Sequence, residues 1–369
     1  MALVEEYGKI NTSWRNIDTT FACNVNDYYS LLHLCNKIDD NIKVDNFELI
    51  ANNIYYDKVN NLIIKRLCHI NELNNIKEII MTKLLSEFNP INFPHFKGYN
   101  KTVCNCCSNG YHYYLITEKI TGKSLFDYII NSNSQQLVDI IEKIIVCLYE
   151  VWIKYEFTHY DLHVNNIIIT EDHIPKIIDF GTSYIHLNNK HLGYIKEFRS
   201  LNGRMNFINQ CNSFWLHDIF KILCSIYIVI NPYYIIYQAL NYKRELMKDI
   251  SYACIDINNG YYYEYNNDDV NDALTKINDP ELSKRWTTSI KLMDDANKQS
   301  QQMQNTQKEF RDFFDQIMLF FNPSFNNTWL SSYRHIYTYL QAKPTIQNVQ
   351  LDFNKFLTYW FKIKSNYKK

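Results

Sequence analysis

Polar side chains interrupt two apolar runs in the middle of the chain, and these interruptions constrain the fold more than any other feature. The first lies in FTHYDLHVNNIIIT (residues 157–170) and the second in PKIIDFGTSYI (residues 175–185). Aspartate and asparagine side chains between buried strands are unfavourable unless they are paired or used. We therefore expect both segments to be loops that carry a functional site.

The residue types in these loops suit phosphoryl transfer. Asn166 and Asp179 offer the oxygen ligands that Mg²⁺ prefers, and Mg²⁺ also takes substrate phosphates as ligands. Asp161 is then free to accept a proton or to orient a hydroxyl group. In the loose transition state of this reaction, such an aspartate mainly positions the nucleophile.

Length and composition narrow the class of protein. A chain of 369 residues favours two domains or two lobes. A formal net charge of -1 gives no general attraction to nucleic acid or to anionic membranes, so we expect neither as a partner. The 10 cysteines are scattered and the N-terminus MALVEEYGKI lacks an apolar signal segment, which predicts reduced thiols and a cytoplasmic location.

The longest apolar run, residues 222–240, is close to the length of a membrane span. Asn231 and Pro232 interrupt it, and polar chain flanks it closely. We therefore expect a buried core helix and no membrane span.

The first 119 residues predict a small unit rich in strands. Residues 1–40 show no clean period and predict an irregular N-terminal extension. Within residues 41–119, FELIANNIYYDKVNNLIIKRL predicts three short strands, and FPHFKGYNKTVC with YHYYLITEKI predicts a further hairpin. Between them, NELNNIKEIIMTKLLSEF carries a helical apolar stripe that Pro90 ends.

The remainder, residues 120–369, predicts a larger and mainly helical unit. Apolar residues repeat with a helical period from Leu137 to Trp152. The polar stretch at about 241–308 has weak apolar periodicity and predicts an insertion or a mobile helical hairpin. The expected fold class is α+β, with a small antiparallel-sheet lobe that carries one helix and a larger helical lobe.

The two loop motifs resemble those of eukaryotic-type protein kinases. The pattern HxDLxxxN followed by DFG is present at His159, Asp161, Leu162, Asn166, Asp179, Phe180 and Gly181. The resemblance spans about residues 45–235 and is specific, because both motifs occur together at the family's separation. It implies a bilobal kinase fold, ATP and Mg²⁺ as cofactors, and a protein substrate.

The resemblance also implies a role for each matching residue. Asp161 resembles the catalytic base, and Asn166 and Asp179 resemble the metal ligands. Lys65, in LIIKRL, matches the strand lysine that holds the α and β phosphates. Glu78 on the following helix matches the ion-pair partner of that lysine.

Two assignments depend on how the helices pack: the ion-pair partner of Lys65 and the role of Asp218. Glu72 competes with Glu78 for the ion pair, since helix register from sequence is uncertain by a few residues. Asp218, in WLHDIFKILCSIY, resembles the aspartate that begins the central helix of the large lobe and ties down the catalytic loop, which is a structural role.

Further positions are implied for nucleotide binding. Glu118, in ITEKI, resembles the hinge residue whose neighbouring backbone, up to Ile120, would bond adenine, and Ile63 stands where an alanine usually roofs it. The turn that would cover the phosphates lacks glycine and consists of Ala51, Asn52 and Asn53. Asparagine tolerates left-handed backbone, so a tight turn is feasible, but close approach to phosphates would be poorer.

The residue before the catalytic aspartate predicts how the protein is regulated. Tyr160 replaces an arginine that in many kinases pairs with a phosphorylated activation segment, here about residues 182–213. Phosphate on any of four hydroxyl residues would lack that partner, namely Thr182, Ser183, Tyr184 and Tyr194. We therefore predict activity that does not require phosphorylation of this segment.

His163 replaces the lysine that conventional serine/threonine kinases carry in this loop. A histidine could still donate to the γ-phosphate, although its charge depends on pH. The pattern HxDLHxxN is also found in haspin-like kinases, in kinases of large DNA viruses and in enzymes similar to aminoglycoside or choline kinases.

A cysteine cluster at Cys104, Cys106 and Cys107, with His112 nearby, could suggest a zinc site. The CxCC spacing is not a standard ligand spacing and no second cysteine pair follows. We favour a hairpin turn with free thiols.

The leading hypothesis is an ATP and Mg²⁺-dependent protein kinase, with serine or threonine as the acceptor. Its bias towards Asn, Ile, Tyr and Lys is similar to that of kinases from large DNA viruses of protists. One alternative is a small-molecule kinase, which Gly181 disfavours because such enzymes often lack that glycine. Another is a pseudokinase scaffold, which the glycine-free turn favours and the presence of Lys65, Asp161, Asn166 and Asp179 together disfavours.

Overall fold

A computed structural model describes most of the chain. It covers residues 25–38, 47–67, 69, 71–103, 110–193, 215–230, 278–306, 308–321 and 353–367, with short helical pieces between 236 and 275. These residues form two lobes of different character. The smaller lobe is built on an antiparallel sheet, and the larger lobe is mainly helical.

Five antiparallel strands in the order β1-β2-β3-β5-β4 form the sheet of the smaller lobe. They are β1 (Glu48–Ala51), β2 (Ile54–Asp57), β3 (Leu62–Leu67), β4 (Phe96–Val103) and β5 (Tyr111–Glu118). The first two turns place Asn53 at a φ of 60° and Asn61 at a φ of 54°, a conformation that asparagine tolerates. The predicted strands and hairpins are confirmed.

The two faces of this sheet bury different residues. Ile64 of β3 packs with Tyr114 and Ile116 of β5 on one face. Because side chains alternate along a strand, Lys65 and Leu67 point to the other face, where Leu67 joins the main core. That face turns Lys65 towards the centre of the molecule.

Helix α2 (Glu72–Phe88) packs beside the sheet and confirms the predicted helix. The Asn71 side chain accepts from the Leu73 N–H and begins the helix, which ends at Asn89, just before Pro90. Burial extends beyond the apolar stripe and includes several polar side chains, namely Asn74, Asn75, Lys77, Glu78 and Thr82. Polar groups buried on this scale require partners from other elements.

Helix α1 (Val25–Leu32) lies next to α2 and corrects the prediction of an irregular N-terminal extension for residues 25–38; the rest of residues 1–40 lies outside the described part of the chain. Its Tyr28 is fully buried in the main core and its Tyr29 hydroxyl donates to Glu72 at 2.9 Å. Beyond the helix, the backbone of Lys37 forms an isolated parallel β-bridge with Tyr99 of β4. A helix of eight residues is stabilised by packing more than by its own sequence, so periodicity could not reveal it.

The larger lobe contains six longer helices among the described residues. They are α3 (Leu125–Asn131), α4 (Ser134–Tyr155), α5 (Trp215–Ile230), α6 (Pro280–Thr306), α7 (Lys308–Phe321) and α8 (Phe353–Tyr367). A capping box formed by Asn133 and Gln136 begins α4, which contains the predicted repeat from Leu137 to Trp152. Its buried face joins one core with the apolar faces of α5, α7 and α8.

Short strands between these helices position the two motif loops. They are β6 (Gly122–Ser124), β7 (Ile167–Thr170), β8 (Pro175–Ile177), β9 (Ile185–Leu187) and β10 (Lys190–Leu192). The first loop leads into β7 and the second leaves β8, and these two strands pair antiparallel. The N–H of Ile178 donates to the Asn166 carbonyl at 3.0 Å, so the two loops lie side by side.

The apolar run over residues 222–240 was predicted to be a core helix. Its first part belongs to α5, where Ile222, Leu223 and Ile226 are almost completely buried. Residues 231–235 lie outside the described part of the chain. No helix within the described part is long and apolar enough to cross a membrane.

The stretch at about 241–308, predicted as an insertion, is helical over most of its described residues, with a turn at 278–279 before α6. A small cluster separate from the main core forms there from Leu246, Val270, Leu274, Leu282 and Trp286. The Trp286 indole N–H donates to the Asn271 side chain at 3.0 Å. Of the predicted activation segment, residues 194–213 lie outside the described part.

The position of Tyr28 gives a prediction about stability. Tyr28→Ala removes a fully buried ring and should lower the free energy of unfolding by about 3–5 kcal/mol. Tyr28→Phe removes only the hydroxyl that donates to the Gly193 carbonyl at 2.9 Å, which should lower it by about 1 kcal/mol. Urea unfolding measures both.

Leu34→Ala serves as the matched control, because Leu34 follows the same helix but is 60% exposed. We expect it to change the free energy of unfolding by less than about 0.5 kcal/mol. An effect of Tyr28→Ala no larger than that of Leu34→Ala would show that α1 does not pack on the core.

Candidate active site

The first motif loop begins at a buried histidine. His159 is completely buried, and its ring is placed to donate from Nε2 to the Ile178 carbonyl at 3.0 Å and to accept at Nδ1 from the Asp161 N–H at 3.3 Å. Its carbonyl accepts from the hydroxyl groups of Thr182 and Ser183. His159 therefore joins the two motif loops.

Asp218 at the start of α5 holds the backbone of the same loop. One carboxylate oxygen accepts from the His159 N–H at 2.5 Å and the other from the Tyr160 N–H at 2.9 Å. Tyr160 has a φ of 62°, an uncommon conformation for a bulky residue, and the bond to Asp218 stabilises it. The predicted structural role of Asp218 is confirmed.

Asp161 lies at the mouth of the loop, with its side chain 46% exposed. Lys221 of α5 donates to Asp161 Oδ1 at 2.5 Å. Burial alone would raise the pKa of Asp161, but the charge and hydrogen bond of Lys221 outweigh it and hold that pKa below the usual range. Asp161 is thus ionised at neutral pH and can accept a proton.

His163 is close to Asp161 but does not bond it. Its Nε2 is 3.9 Å from Asp161 Oδ2, and its Nδ1 accepts from the Asn165 N–H at 3.3 Å. Burial lowers the pKa of His163, although Asp161 opposes this shift. The imidazole is therefore mainly neutral at pH 7 and can donate a hydrogen bond, but it supplies little positive charge.

Asn166 and Asp179 present oxygen atoms from the two adjacent loops. The Asn166 side-chain N–H donates to the Asp161 carbonyl at 2.9 Å, which fixes the orientation of the amide and of its oxygen. Asp179 has a φ of 69° and uses Oδ1 to accept from Lys65. A neutral amide oxygen beside a carboxylate fits a hard divalent cation.

Lys65 connects three parts of the fold. Its ammonium group donates to Glu78 Oε1 of α2 at 2.7 Å and to Asp179 Oδ1 at 2.8 Å. Burial would lower the pKa of Lys65, but the two carboxylates outweigh it and raise that pKa. Burial would likewise raise the pKa of Glu78, and Lys65 with His69 lowers it to about 2. Lys65 and Glu78 are therefore both charged at neutral pH.

The competing candidate, Glu72, lies elsewhere. It accepts from Lys101 at 2.9 Å and from the hydroxyl groups of Tyr29 and Tyr113. The helix register therefore gives Lys65 the partner Glu78, as predicted.

The aromatic residue after Asp179 packs into the core and orients its neighbour. The Phe180 ring is 1% exposed and lies 5.9 Å from Phe93, 6.3 Å from Phe157 and 5.6 Å from His159, between centroids. This packing directs the Asp179 side chain away from the apolar cluster and towards Lys65.

Gly181 follows in a crowded position. A Cβ atom there would lie 3.2 Å from both Glu78 Oε2 and His69 Nε2. Lys77, which is completely buried, donates to the carbonyl groups of Gly181 at 2.7 Å and of Ser183 at 3.1 Å. Helix α2 is thereby joined to the start of the predicted activation segment.

The residues predicted to cover the phosphates form the turn at 51–53. Ala51 and Asn52 are exposed, whereas Asn53 Oδ1 accepts from the Arg66 guanidinium at 3.0 Å and 2.5 Å. Ile54, which follows the turn, is paired across the sheet with Lys65. The turn thus lies next to Lys65, and its contact with a nucleotide stays a prediction.

The other positions predicted to bind the nucleotide lie on β3, at the end of β5 and in the connection to β6. Ile63 is half-buried and shares a sheet face with Lys65, since the two are two residues apart on β3. Glu118 ends β5, and its carboxylate accepts from Lys176 of β8 at 2.7 Å, which joins the lobes. Ile120 follows in the connection to β6. Adenine binding by this backbone stays a prediction.

Three lysines of this region escaped the sequence analysis, namely Lys77, Lys176 and Lys221. The spacing of Asp218 and Lys221, three apart on a helix, was a signal that both could face the loop. Lys77 gave no such signal, because a lysine beside Glu78 on a helix is ordinarily solvent-exposed.

The cysteine cluster cannot be placed, because Cys104, Cys106 and Cys107 lie outside the described residues. His112 is described and makes an edge contact with Tyr114. Among the side chains that the structure does describe, no group of three or more His, Cys, Asp or Glu could hold a metal ion.

Known proteins share these features to different extents. The haspin-like kinase domain family matches residues 12–248, well over half of the chain. No curated protein matches the sequence. Among solved structures, the kinase PK-1 of Cydia pomonella granulovirus is similar, with 19% sequence identity and a TM-score of 0.28. That match covers 36% of this chain and 48% of the viral kinase, so it spans about half the length of that relative.

The low pKa of Glu78 predicts how stability depends on pH. Because the carboxylate has a pKa of about 2 in the fold and an ordinary value near 4.5, it stabilises the folded state fully above pH 4.5. That contribution is lost as the pH falls towards 2. Glu78→Gln should lower the free energy of unfolding by about 2 kcal/mol at pH 7, and this difference should shrink below pH 4.5.

Urea unfolding of both proteins at several pH values measures the difference. Glu87→Gln is the control, since Glu87 lies on the same helix but is 61% exposed. Its effect should be small at each pH. Parallel pH profiles for wild type and Glu78→Gln would contradict the assignment.

Proposed function

The chain belongs to the family of haspin-like kinase domains, and we propose that it transfers the γ-phosphoryl group of ATP to serine or threonine hydroxyl groups of a protein. The observation that carries this proposal is that Lys65, Asp161, Asn166 and Asp179 lie together on β3 and the two adjoining motif loops, each with a polar partner that fixes its orientation. Phosphoryl transfer depends on such positioning more than on covalent chemistry.

Each residue has a defined part in the proposed reaction. Asp161 accepts the proton of the acceptor hydroxyl, whose oxygen forms a bond to the γ-phosphorus while the bond to the β-phosphate oxygen breaks. Lys65, held by Glu78, binds the α and β phosphates as a fixed positive charge. Ile63 and the backbone from Glu118 to Ile120 bind the adenine.

Asn166 and Asp179 would hold Mg²⁺, because the amide oxygen of one and the carboxylate of the other are of the type that this cation prefers. Bound Mg²⁺ would neutralise negative charge on the phosphates. The hydrogen bond from Asn166 to the Asp161 carbonyl keeps the metal-binding amide and the base in one rigid loop.

We further propose that activity does not require phosphorylation of the activation segment. Tyr160 is 3% exposed and packs on His217, so it offers no cation to a phosphate. Ser183 and Tyr184 are also buried, which makes their hydroxyl groups inaccessible to another kinase. Lys77 holds the start of the segment on α2 without any phosphate.

A cytoplasmic location is also part of the proposal. It rests on the scattered cysteines, of which Cys35, Cys147 and Cys224 are free and buried. Burial raises the pKa of the Cys35 thiol to about 12, which makes this thiol unreactive.

An assay with labelled ATP tests the catalytic proposal. Purified protein is incubated with Mg²⁺ and casein beside an Asp161→Asn variant, and the labelled amino acid is identified after hydrolysis. We expect label on serine or threonine, with a rate at least about 100-fold lower in the variant.

Other outcomes would favour other functions. Label on added aminoglycosides or choline alone would indicate a small-molecule kinase. Thermal stabilisation by ATP without transfer would indicate a pseudokinase scaffold. The glycine-free turn at 51–53 is the feature of the sequence that favours this function.

Phosphatase treatment tests the proposal on regulation. The treated protein, confirmed by mass spectrometry to carry no phosphate, should phosphorylate casein at an initial rate within about twofold of the untreated protein, because Lys77 already positions the segment. A lag that ends as phosphate accumulates on the protein would contradict the proposal.

A further inference from the structure

Side chains on one face of α5 form hydrogen bonds to the catalytic loop at successive positions. Asp218 accepts from the N–H groups of residues 159–160, and the Ser225 hydroxyl accepts from the Val164 N–H at 3.2 Å. Lys221 lies between them on the helix. Residues separated by three and four positions share a helix face, so these three side chains form a row along the loop.

Lys221 alone in this row reaches a side chain that would take part in the reaction. Its ammonium group donates to Asp161 Oδ1 at 2.5 Å and to the Tyr160 carbonyl at 3.2 Å. Two acceptors fix the position of the nitrogen relative to the loop. Asp161 Oδ2 has His163 Nε2 at 3.9 Å, which is beyond hydrogen-bond distance.

We propose that Lys221 is a positioning residue for phosphoryl transfer, which holds Asp161 Oδ1 so that Oδ2 faces the acceptor hydroxyl. This inference rests on the proposed function and extends it to a residue outside both motif loops. Lys221 supplies from a helix the fixed positive charge that the loop itself lacks, since His163 stands where conventional kinases carry lysine.

The exposure of the pair separates this role from a purely structural one. The side chains of Lys221 and Asp161 are 28% and 46% exposed, and ion pairs of such exposure contribute little to folding. Catalysis is more sensitive, because misplacement of a reacting group by about 1 Å can lower a rate about 100-fold. Loss of Lys221 should therefore affect turnover much more than stability.

Three variants test the proposal on the full chain with labelled ATP, Mg²⁺ and casein. Lys221→Met should lower kcat about 100-fold, with the KM for ATP and the Tm nearly unchanged. Lys221→Arg keeps the charge and the donors, so it should retain most of the wild-type kcat. Lys221→Gln keeps a donor without the charge and serves as a second variant if Lys221→Met does not fold.

The double variant Lys221→Met with Asp161→Asn tests whether Lys221 acts through Asp161. If it does, the double variant should be no slower than Asp161→Asn alone, because residues that act as a unit have non-additive effects.

Lys364→Met is the matched control. Lys364 of α8 also pairs with two carboxylates, those of Asp139 and Glu142 of α4, at 2.8 Å each, but these residues belong to neither motif loop.

The outcomes distinguish this inference from the function on which it rests. A folded Lys221→Met or Lys221→Gln protein with the kcat of wild type would overturn the inference and leave the kinase proposal intact. A further fall in rate when Lys221→Met is added to Asp161→Asn would also overturn it. Wild-type protein that transfers no label to casein or to itself would overturn both.

Discussion

The ammonium group of Lys65, held between two carboxylates, is the interaction on which the rest of the site depends. Glu78 comes from a helix of the small lobe and Asp179 from a loop of the large lobe, so one side chain fixes the sheet, the helix and the loop together. Glu78 is almost completely buried, and a buried charge is tolerated only while its partner remains in place. The geometry of the two lobes and the electrostatics of the site are therefore coupled.

Two further lysines hold loops in a similar way. Lys77 donates to two backbone carbonyl groups, and Lys221 donates to one backbone carbonyl and one carboxylate. Lys77 fastens α2 to the segment that follows Asp179, and Lys221 fastens the catalytic loop to α5. A lysine on a helix can span to a loop because its stem is long and packs along apolar surface. Positive side chains thus hold in place the loops that we propose bind a negatively charged nucleotide.

The sequence predicted the parts of the structure that depend on local pattern. The strands of the small lobe followed from alternation and asparagine turns, and α2 followed from its apolar stripe. The kinase resemblance favoured Glu78 over Glu72 as the partner of Lys65, and the structure shows that pair. Helix α1 and the role of Lys77 depend on tertiary contacts, which leave no periodic signal in a short segment. For Lys221 the three-residue spacing from Asp218 was a signal. The roles of the site residues in catalysis remain predictions, since geometry shows their proximity and not their chemistry.

The contact of α1 with the rest of the fold has a consequence for the order in which the protein assembles during synthesis. The Tyr28 hydroxyl bonds the carbonyl of Gly193, which is 165 residues further along the chain. Lys77 and Lys65 likewise bond Gly181 and Asp179, which lie 104 and 114 residues further along the chain. Contacts between distant residues close late, because the chain between them must first be made and ordered. The small lobe, although it is synthesised first, therefore acquires its final packing only after much of the large lobe has left the ribosome.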